Sequence, residues 1–218
     1  LYQSWDMGIS VLKIFDTGRC ALTVSPGCSR PILFWNKFCP RYKLQNFRAA
    51  LDAPGEWFQE GRTVLYVPRS GEKVESSFAV VPVLDALLDL SGVTNAVFRG
   101  IAFEQARLQI DGKGFGNDDQ AQVQLPAAVE THDSSQIVFD RCRFSQLAPH
   151  ALWFGRGTDD SRVTHCLFED LGAGGIYVGS TQYDVTNMRA YANRILLRDN
   201  IIREGGRIAD GAHGVWLG

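Results

Sequence analysis

Strand-length segments that repeat one layout, at an interval that lets each stack on the next, predict an all-β protein whose C-terminal part is a right-handed parallel β-helix. Three observations carry this expectation. First, residues 97–103, 139–144, 163–168 and 197–202 each alternate apolar and polar side chains with a period near two. Second, aligning them on their closing large residue puts Phe103, Phe144, Phe168 and Ile202 in one column. Ile101, Cys142, Cys166 and Asn200 fall in a column two residues earlier, and both columns are expected to point inward. Third, Phe144 and Phe168 are 24 residues apart, as are Ala151 and Gly175, the length of one unembellished coil.

A second strand follows each of the last three segments: Ala151-Leu152-Trp153-Phe154, Gly175-Ile176-Tyr177-Val178 and Gly214-Val215-Trp216-Leu217. Two strands per coil are therefore expected. The longer intervals from Phe103 to Phe144 and from Phe168 to Ile202 imply inserted loops, at 109–124 and 180–193. Parallel strands stacked about 4.8 Å apart pair their backbone groups between coils and bury a column of like side chains, which explains the recurrence of residue size. A β-sandwich of hairpins is the alternative, but its usual two-residue turns are missing.

Residues 1–78 do not follow the repeat and read as a small β-rich subdomain inserted in, or packed against, the coils of residues 79–218. Residues 11–24 form a hairpin around Asp16-Thr17-Gly18-Arg19, Pro26-Gly27 makes a turn, and Leu65-Tyr66-Val67 is a strand that stops before Pro68. Asn46 is placed to cap a short helix through Leu51. Residues 82–90 are read as strand because they run directly into the first repeat.

Composition narrows the function classes. The chain has 218 residues, 22 of them glycine, and a formal charge of −2, an ordinary globular profile with many turns. No basic stripe provides a nucleic-acid footprint, and no apolar run approaches the roughly 18 residues of a membrane span. The start at Leu1 and the strand-like ending at Gly218 are expected of a segment of a longer protein. The five cysteines contain no Cys-x-x-Cys pair, which argues against zinc, and one disulfide among Cys20, Cys28 and Cys39 is compatible with secretion. No cofactor is expected. Calcium is conceivable only at the acidic turns Gly116-Asn117-Asp118-Asp119 and Asp159-Asp160, which read more simply as exposed loops.

Several blocks carry a resemblance. Arg41-Tyr42-x-Leu44-x-Asn46, Leu51-Asp52-Ala53-Pro54-Gly55-Glu56-Trp57-Phe58 and Leu65-Tyr66-x-Pro68-x-x-Gly71-Glu72 resemble bacterial right-handed parallel β-helix proteins, including glycoside hydrolase family 141. Phe98-Arg99-Gly100-Ile101-Ala102-Phe103, Leu152-Trp153-Phe154-Gly155-Arg156-Gly157 and Asp170-Leu171-Gly172-Ala173-Gly174-Gly175-Ile176 fit as well, in the same order. Residues 59–64 depart from the family pattern. The resemblance implies a secreted or periplasmic glycan-degrading enzyme, of a family that contains fucosidases and xylanases. Glu56 and Trp57 are read as structural.

Glycoside hydrolysis needs two carboxyl groups, about 5 Å apart for retention and about 6.5–9.5 Å for inversion. Two residues beyond the closing apolar column stand Gln105, Gln146, Asp170 and Glu204, so Asp170 and Glu204 are expected to be stacked carboxylates. The glycines from Gly172 to Gly175 are expected to clear the surface beside them for a ligand. His150, Gly174 and His213 share the position before the second strand, where the imidazoles can orient a sugar hydroxyl or move a proton. Asp210, three residues before His213, is a further acid candidate. Trp153, Tyr177 and Trp216 form a column that is either a sugar-stacking platform or core. Two other readings stand beside the hydrolase: a polysaccharide lyase or uronate epimerase drawing on Arg156, Arg194 or Arg207, and a non-catalytic adhesin or glycan-binding stalk.

Overall fold

The computed structural model describes residues 2–3, 6–27, 41–110, 120–181 and 191–218. Two compact units result, Arg41–Val81 by itself and Leu1–Pro40 together with Pro82–Gly218. The N-terminal residues, read from sequence as part of a 1–78 subdomain, thus group with the coils. They contribute the short antiparallel pair β1 (Tyr2–Gln3) and β2 (Asp6–Met7) and the hairpin β3 (Val11–Asp16) with β4 (Ala21–Ser25). The hairpin turns where the sequence indicated, with the Asp16 carboxylate accepting the Arg19 N–H.

The smaller unit holds a second antiparallel hairpin, β5 (Trp57–Glu60) with β6 (Thr63–Tyr66), turning on Gly61 at φ 60°. Glu56 accepts the backbone N–H groups of Asp52 and Ala53, which hold its carboxyl below the usual range and fix the turn before β5. Asn46 does not cap a helix. It has φ 61°, outside the extended region an N-cap occupies, and the single 3-10 turn Arg48–Ala50 is preceded by Phe47.

The coils begin at β7 (Leu88–Ser91), β8 (Thr94–Arg99) and β9 (Ala102–Glu104). They continue through β10 (Ala127–His132), β11 (Ser135–Asp140) and β12 (Arg143–Leu147), then β13 (His150–Phe154), β14 (Arg162–Thr164) and β15 (Leu167–Leu171). The last are β16 (Ile176–Val178), β17 (Leu196–Arg198), β18 (Ile201–Ile202) and β19 (Val215–Leu217). Each strand pairs in parallel with the strand three further on, giving sheet I (β7-β10-β13-β16-β19), sheet II (β8-β11-β14-β17) and sheet III (β9-β12-β15-β18). Three strands per coil, not two, are present. Residues 82–87 are not strand, since pairing with β10 starts only at Leu88 opposite Val129.

Each repeat segment read as one strand is in fact two, because a single left-handed residue turns the corner between sheets II and III. Gly100, Arg141, His165 and Asp199 fill that corner with φ of 65°, 53°, 56° and 54°. The next residue is buried at Cys142 and Cys166 and half-buried at Asn200, as expected, whereas Ile101 in the first coil is 41% exposed, and the corner column is self-satisfying. Cys142 N–H donates to Cys166 Sγ (3.3 Å), and Cys166 N–H donates to Asn200 Oδ1 (2.9 Å). Cys20 is an exposed free thiol, so it takes no part in the expected disulfide; Cys28 and Cys39 lie outside the described residues.

The expected core column is in register: Phe103 opposite Phe144, Phe144 opposite Phe168, and Phe168 opposite Ile202. The rings stack, with centroids 4.9 Å apart for Phe103–Phe144 and 4.5 Å apart, nearly parallel, for Phe144–Phe168. A second stack, Phe98–Phe139 at 5.0 Å, meets it edge-on through Phe139–Phe144. Phe144 is fully buried, so Phe144→Ala is expected to cost about 3–5 kcal/mol. Ile202→Ala, in the half-buried last coil, is expected to cost about half as much or less, both read from urea unfolding midpoints.

Candidate active site

Turning the phenylalanine column inward turns its neighbours outward, and on sheet III this makes a charged face. Glu104, Ser145 and Glu169 are in register, with Arg203 following Ile202 in the next coil. Arg143, one step back, bridges Glu104 (3.3 Å) and Glu169 (2.8 Å), and the Ser145 hydroxyl donates to Glu104 (2.8 Å). Arg203 takes the other oxygen of Glu169 at 2.5 Å. Glu169 is only 13% exposed at its side chain, and Arg203 first, then Arg143, hold its carboxyl below the usual range against the opposing effect of burial.

The corner that ends sheet III carries the predicted carboxylates. Gln105, Gln146, Asp170 and Glu204 all adopt left-handed backbone, at φ 66°, 53°, 52° and 55°, which projects each side chain outward at the same point of successive coils. Gln105 donates to Gln146 across one coil (3.4 Å). Asp170 and Glu204 converge on Arg207, whose NH1 is 2.7 Å from Asp170 and 3.8 Å from Glu204. The structure therefore brings these two together, with a cation between them that the sequence did not place there.

The glycine-rich turn is not open surface. A Cβ at Gly172 would lie 2.4 Å from the Ala148 carbonyl oxygen, and one at Gly174 would lie 2.5 Å from that of His213. The glycines are required by the close approach of neighbouring coils, and Ala173 is fully buried. The loop from Gly206 folds back over this turn, with Gly206 N–H donating to Ala173 O and Ile208 and Ala209 N–H to Gly172 O. The same loop carries Asp210 and His213 to the rim of an open depression of about 580 Å³, lined also by Gln120, Gly211 and Ala212.

His150, Gly174 and Tyr177 are not ligand-facing. His150 is fully buried: its Nδ1 accepts the Gly174 N–H (2.8 Å), so Nε2 carries the proton and donates to the Gln122 carbonyl (2.9 Å). Its ring lies 3.9 Å from that of Tyr177, also fully buried, whose hydroxyl donates to Ala121 O and accepts the His213 N–H. Gln122 in turn donates to Met7 O, so the 3-10 turn Gln120–Gln122 and the chain at β2 cover this part of sheet I. The column Trp153, Tyr177, Trp216 is in register as expected, but its centre is core, with the two half-buried indoles packed on Tyr177 at 5.3 and 5.4 Å.

The other predicted residues are dispersed. Arg194 holds both oxygens of Asp160 (2.5 and 2.8 Å), which occupies that acidic turn with a guanidinium. Among the described residues no group of three or more His, Cys, Asp or Glu is arranged to hold a metal ion; residues 116–119 lie outside them. Arg156 lies in the turn after β13. Glu104, Arg143, Glu169 and Arg203 were missed by the sequence reading. Their signal was present, since the residue after each closing Phe or Ile is Glu104, Ser145, Glu169 and Arg203.

Three parallel sheets visited in turn make an all-β structure consistent with a parallel β-helix. One solved structure described as "Glycoside hydrolase" is similar, with a TM-score of 0.67 and 24% identity over 79% of this chain and 36% of its own. The present chain thus spans about a third of that protein's length, and at this identity the likeness is one of fold. No family model matches the chain, and no curated protein does.

The buried imidazole gives a prediction with a definite sign. Burial pushes the His150 pKa down to about 4, opposed in part by its hydrogen bond to Gln122 O. The folded state then binds fewer protons than the unfolded chain between the ordinary value of 6.5 and about 4. Stability contributed by neutral His150 is present above pH about 6.5 and lost as pH falls toward 4, by roughly 3 kcal/mol. Urea unfolding across that range is expected to show the loss, and His150→Asn is expected to flatten this part of the profile.

Proposed function

We propose that this chain is part of a secreted or periplasmic carbohydrate-active enzyme of the glycoside hydrolase type, built on a right-handed β-helix similar to glycoside hydrolase family 141. The observation that carries the proposal is the stacking of Asp170 and Glu204 on consecutive coils at one end of the charged face of sheet III, both in contact with Arg207. Residues in adjacent coils stand about 4.8 Å apart at the backbone, close to the roughly 5 Å separation of a retaining pair. In this reading one carboxyl protonates the departing glycosidic oxygen, and the other attacks the anomeric carbon. Arg207 orients the pair. Asp210 is the alternative second carboxyl, and with His213 it provides hydrogen-bonding groups for a sugar at the depression. The likeness to a solved glycoside hydrolase supports the reading at the level of fold.

A second reading is favoured by Arg207 itself. A guanidinium 2.7 Å from a potential base, Asp170, is the arrangement a polysaccharide lyase or uronate epimerase needs to neutralise the uronate carboxylate. The two differ in product: the lyase leaves an unsaturated, ultraviolet-absorbing ring, and the hydrolase a new reducing end.

A hydrolysis screen over a panel of complex plant-type and bacterial polysaccharides, with the longest available form of the protein, tests the proposal. On any substrate so identified, Asp170→Ala is expected to lower turnover by on the order of 10²–10⁴-fold. Glu204→Gln and Asp210→Asn then assign the partner, which is the one whose loss matches that of Asp170. Full turnover by Asp170→Ala would sink the assignment, and binding to glycans with no bond cleavage would favour a non-catalytic stalk.

A further inference from the structure

The opposite edge of sheet III carries a second charged column with a different balance. At the corner from sheet II, Asp140 is a nearly buried carboxylate, its side chain 9% exposed. Its Oδ1 accepts from the Thr164 hydroxyl and from His165 Nδ1, each at 3.1 Å. Its Oδ2 receives two guanidiniums at once, Arg99 Nε at 2.9 Å and Arg141 NH1 at 2.8 Å. Both arginines are 65% exposed, so each anchors through one nitrogen and presents its remaining N–H groups to solvent. Two coils beyond Asp140, Arg198 stands in register with Thr164, 66% exposed, and pairs with Asp199.

Three guanidiniums thus share two carboxylates. The hydroxyl and the imidazole already satisfy one oxygen of Asp140, and a single arginine would satisfy the other. The second is surplus as a structural partner, and it leaves a fixed positive charge on a chain whose formal charge is −2. The face at the Asp170 edge is different, since Glu104, Glu169, Asp170 and Glu204 outnumber Arg143, Arg203 and Arg207 there. The corner cations are also spaced along a line. Arg99, Asp140, Thr164 and Arg198 occupy one position in four successive coils, about 4.8 Å apart, so the arginines are strung along the coil axis. Arg99 and Arg141 converge on one oxygen and can meet a single anion together, whereas only an extended chain bearing repeated negative groups also reaches Arg198, two coils beyond Asp140.

We propose that this corner column binds an acidic polysaccharide, with Arg99, Arg141 and Arg198 donating to its carboxylate or sulfate groups. Guanidinium forks match both anions geometrically, and the buried Asp140 holds two of the three in place before the ligand arrives. The site is separate from the Asp170 column and acts in binding, whatever bond is cleaved.

The test is retention in affinity electrophoresis, using the full chain against polygalacturonate, dextran sulfate, neutral dextran and duplex DNA. Retention by at least one acidic polysaccharide, weakening with added salt, is expected, with none by neutral dextran. The polygalacturonate and dextran sulfate arms separate a carboxylate ligand from a sulfate ligand. Arg198→Gln leaves all four contacts of Asp140 in place and is expected to weaken retention on the order of tenfold, as is Arg99→Gln. Asp170→Ala is expected to leave retention unchanged, so loss of turnover with intact retention bears on the hydrolase reading alone. Equal retention by neutral dextran, retention by DNA alone, no retention by any polymer, or indifference to both arginine substitutions overturns the proposal.

Discussion

Each coil must change direction within one residue while keeping its backbone in parallel register with the coils on either side, and the rest of the structure depends on how that corner is made. The solution is a left-handed residue at the same place in every coil. Asn95, Gln136, Asp160 and Arg194 take it at the start of sheet II, Gly100, Arg141, His165 and Asp199 between sheets II and III, and Gln105, Gln146, Asp170 and Glu204 at the end of sheet III. Gly100 is the only glycine among these, so the others carry a conformational cost of about 1 kcal/mol or more each. Hydrogen bonds to the next coil offset it, as from Arg141 N–H to Thr164 O, His165 N–H to Arg198 O and Asp160 N–H to Asn193 O.

The corner also explains where the chemistry-bearing side chains stand. A left-handed residue projects its side chain away from the core, and repeating the corner repeats the projection, so polar columns form along the edges of a sheet. At one edge of sheet III the column ends in Asp170 and Glu204; at the other it holds Arg141, His165 and Asp199. Between them the outward face of the sheet is fixed by Arg143, Glu169 and Arg203, a chain of charges in which Glu169 is the least exposed member. The scaffold thus supplies two electrostatic edges from one backbone rule, one richer in carboxylates and one in guanidiniums.

Much of this was legible in the sequence, and what was missed has a physical cause. The column of Phe103, Phe144, Phe168 and Ile202 was readable because stacking demands like size at like position, and the same spacing put Asp170 and Glu204 at equivalent corners of successive coils. The third strand of each coil was not readable, because Arg141, His165 and Asp199 turn corners that are usually signalled by glycine or asparagine. Glycines at 172, 174 and 175 were taken for a cleared surface, but coil-to-coil contact requires them. His150 was misread for a related reason, and the choice between platform and core for Tyr177 stayed open: their exposure depends on β2 and the turn Gln120–Gln122, whose position over sheet I no repeat pattern encodes.

In the proposed function, corner stacking sets Asp170 beside a second carboxyl for work on a glycosidic bond. A crystal structure of the Asp170→Asn variant with a bound oligosaccharide tests it most directly. A glycosidic oxygen is expected within hydrogen-bond reach of residue 170 and of Glu204 or Asp210, with the oligosaccharide crossing the charged face of sheet III. An oligosaccharide seated elsewhere, with residue 170 and Glu204 both turned to open solvent, would contradict it.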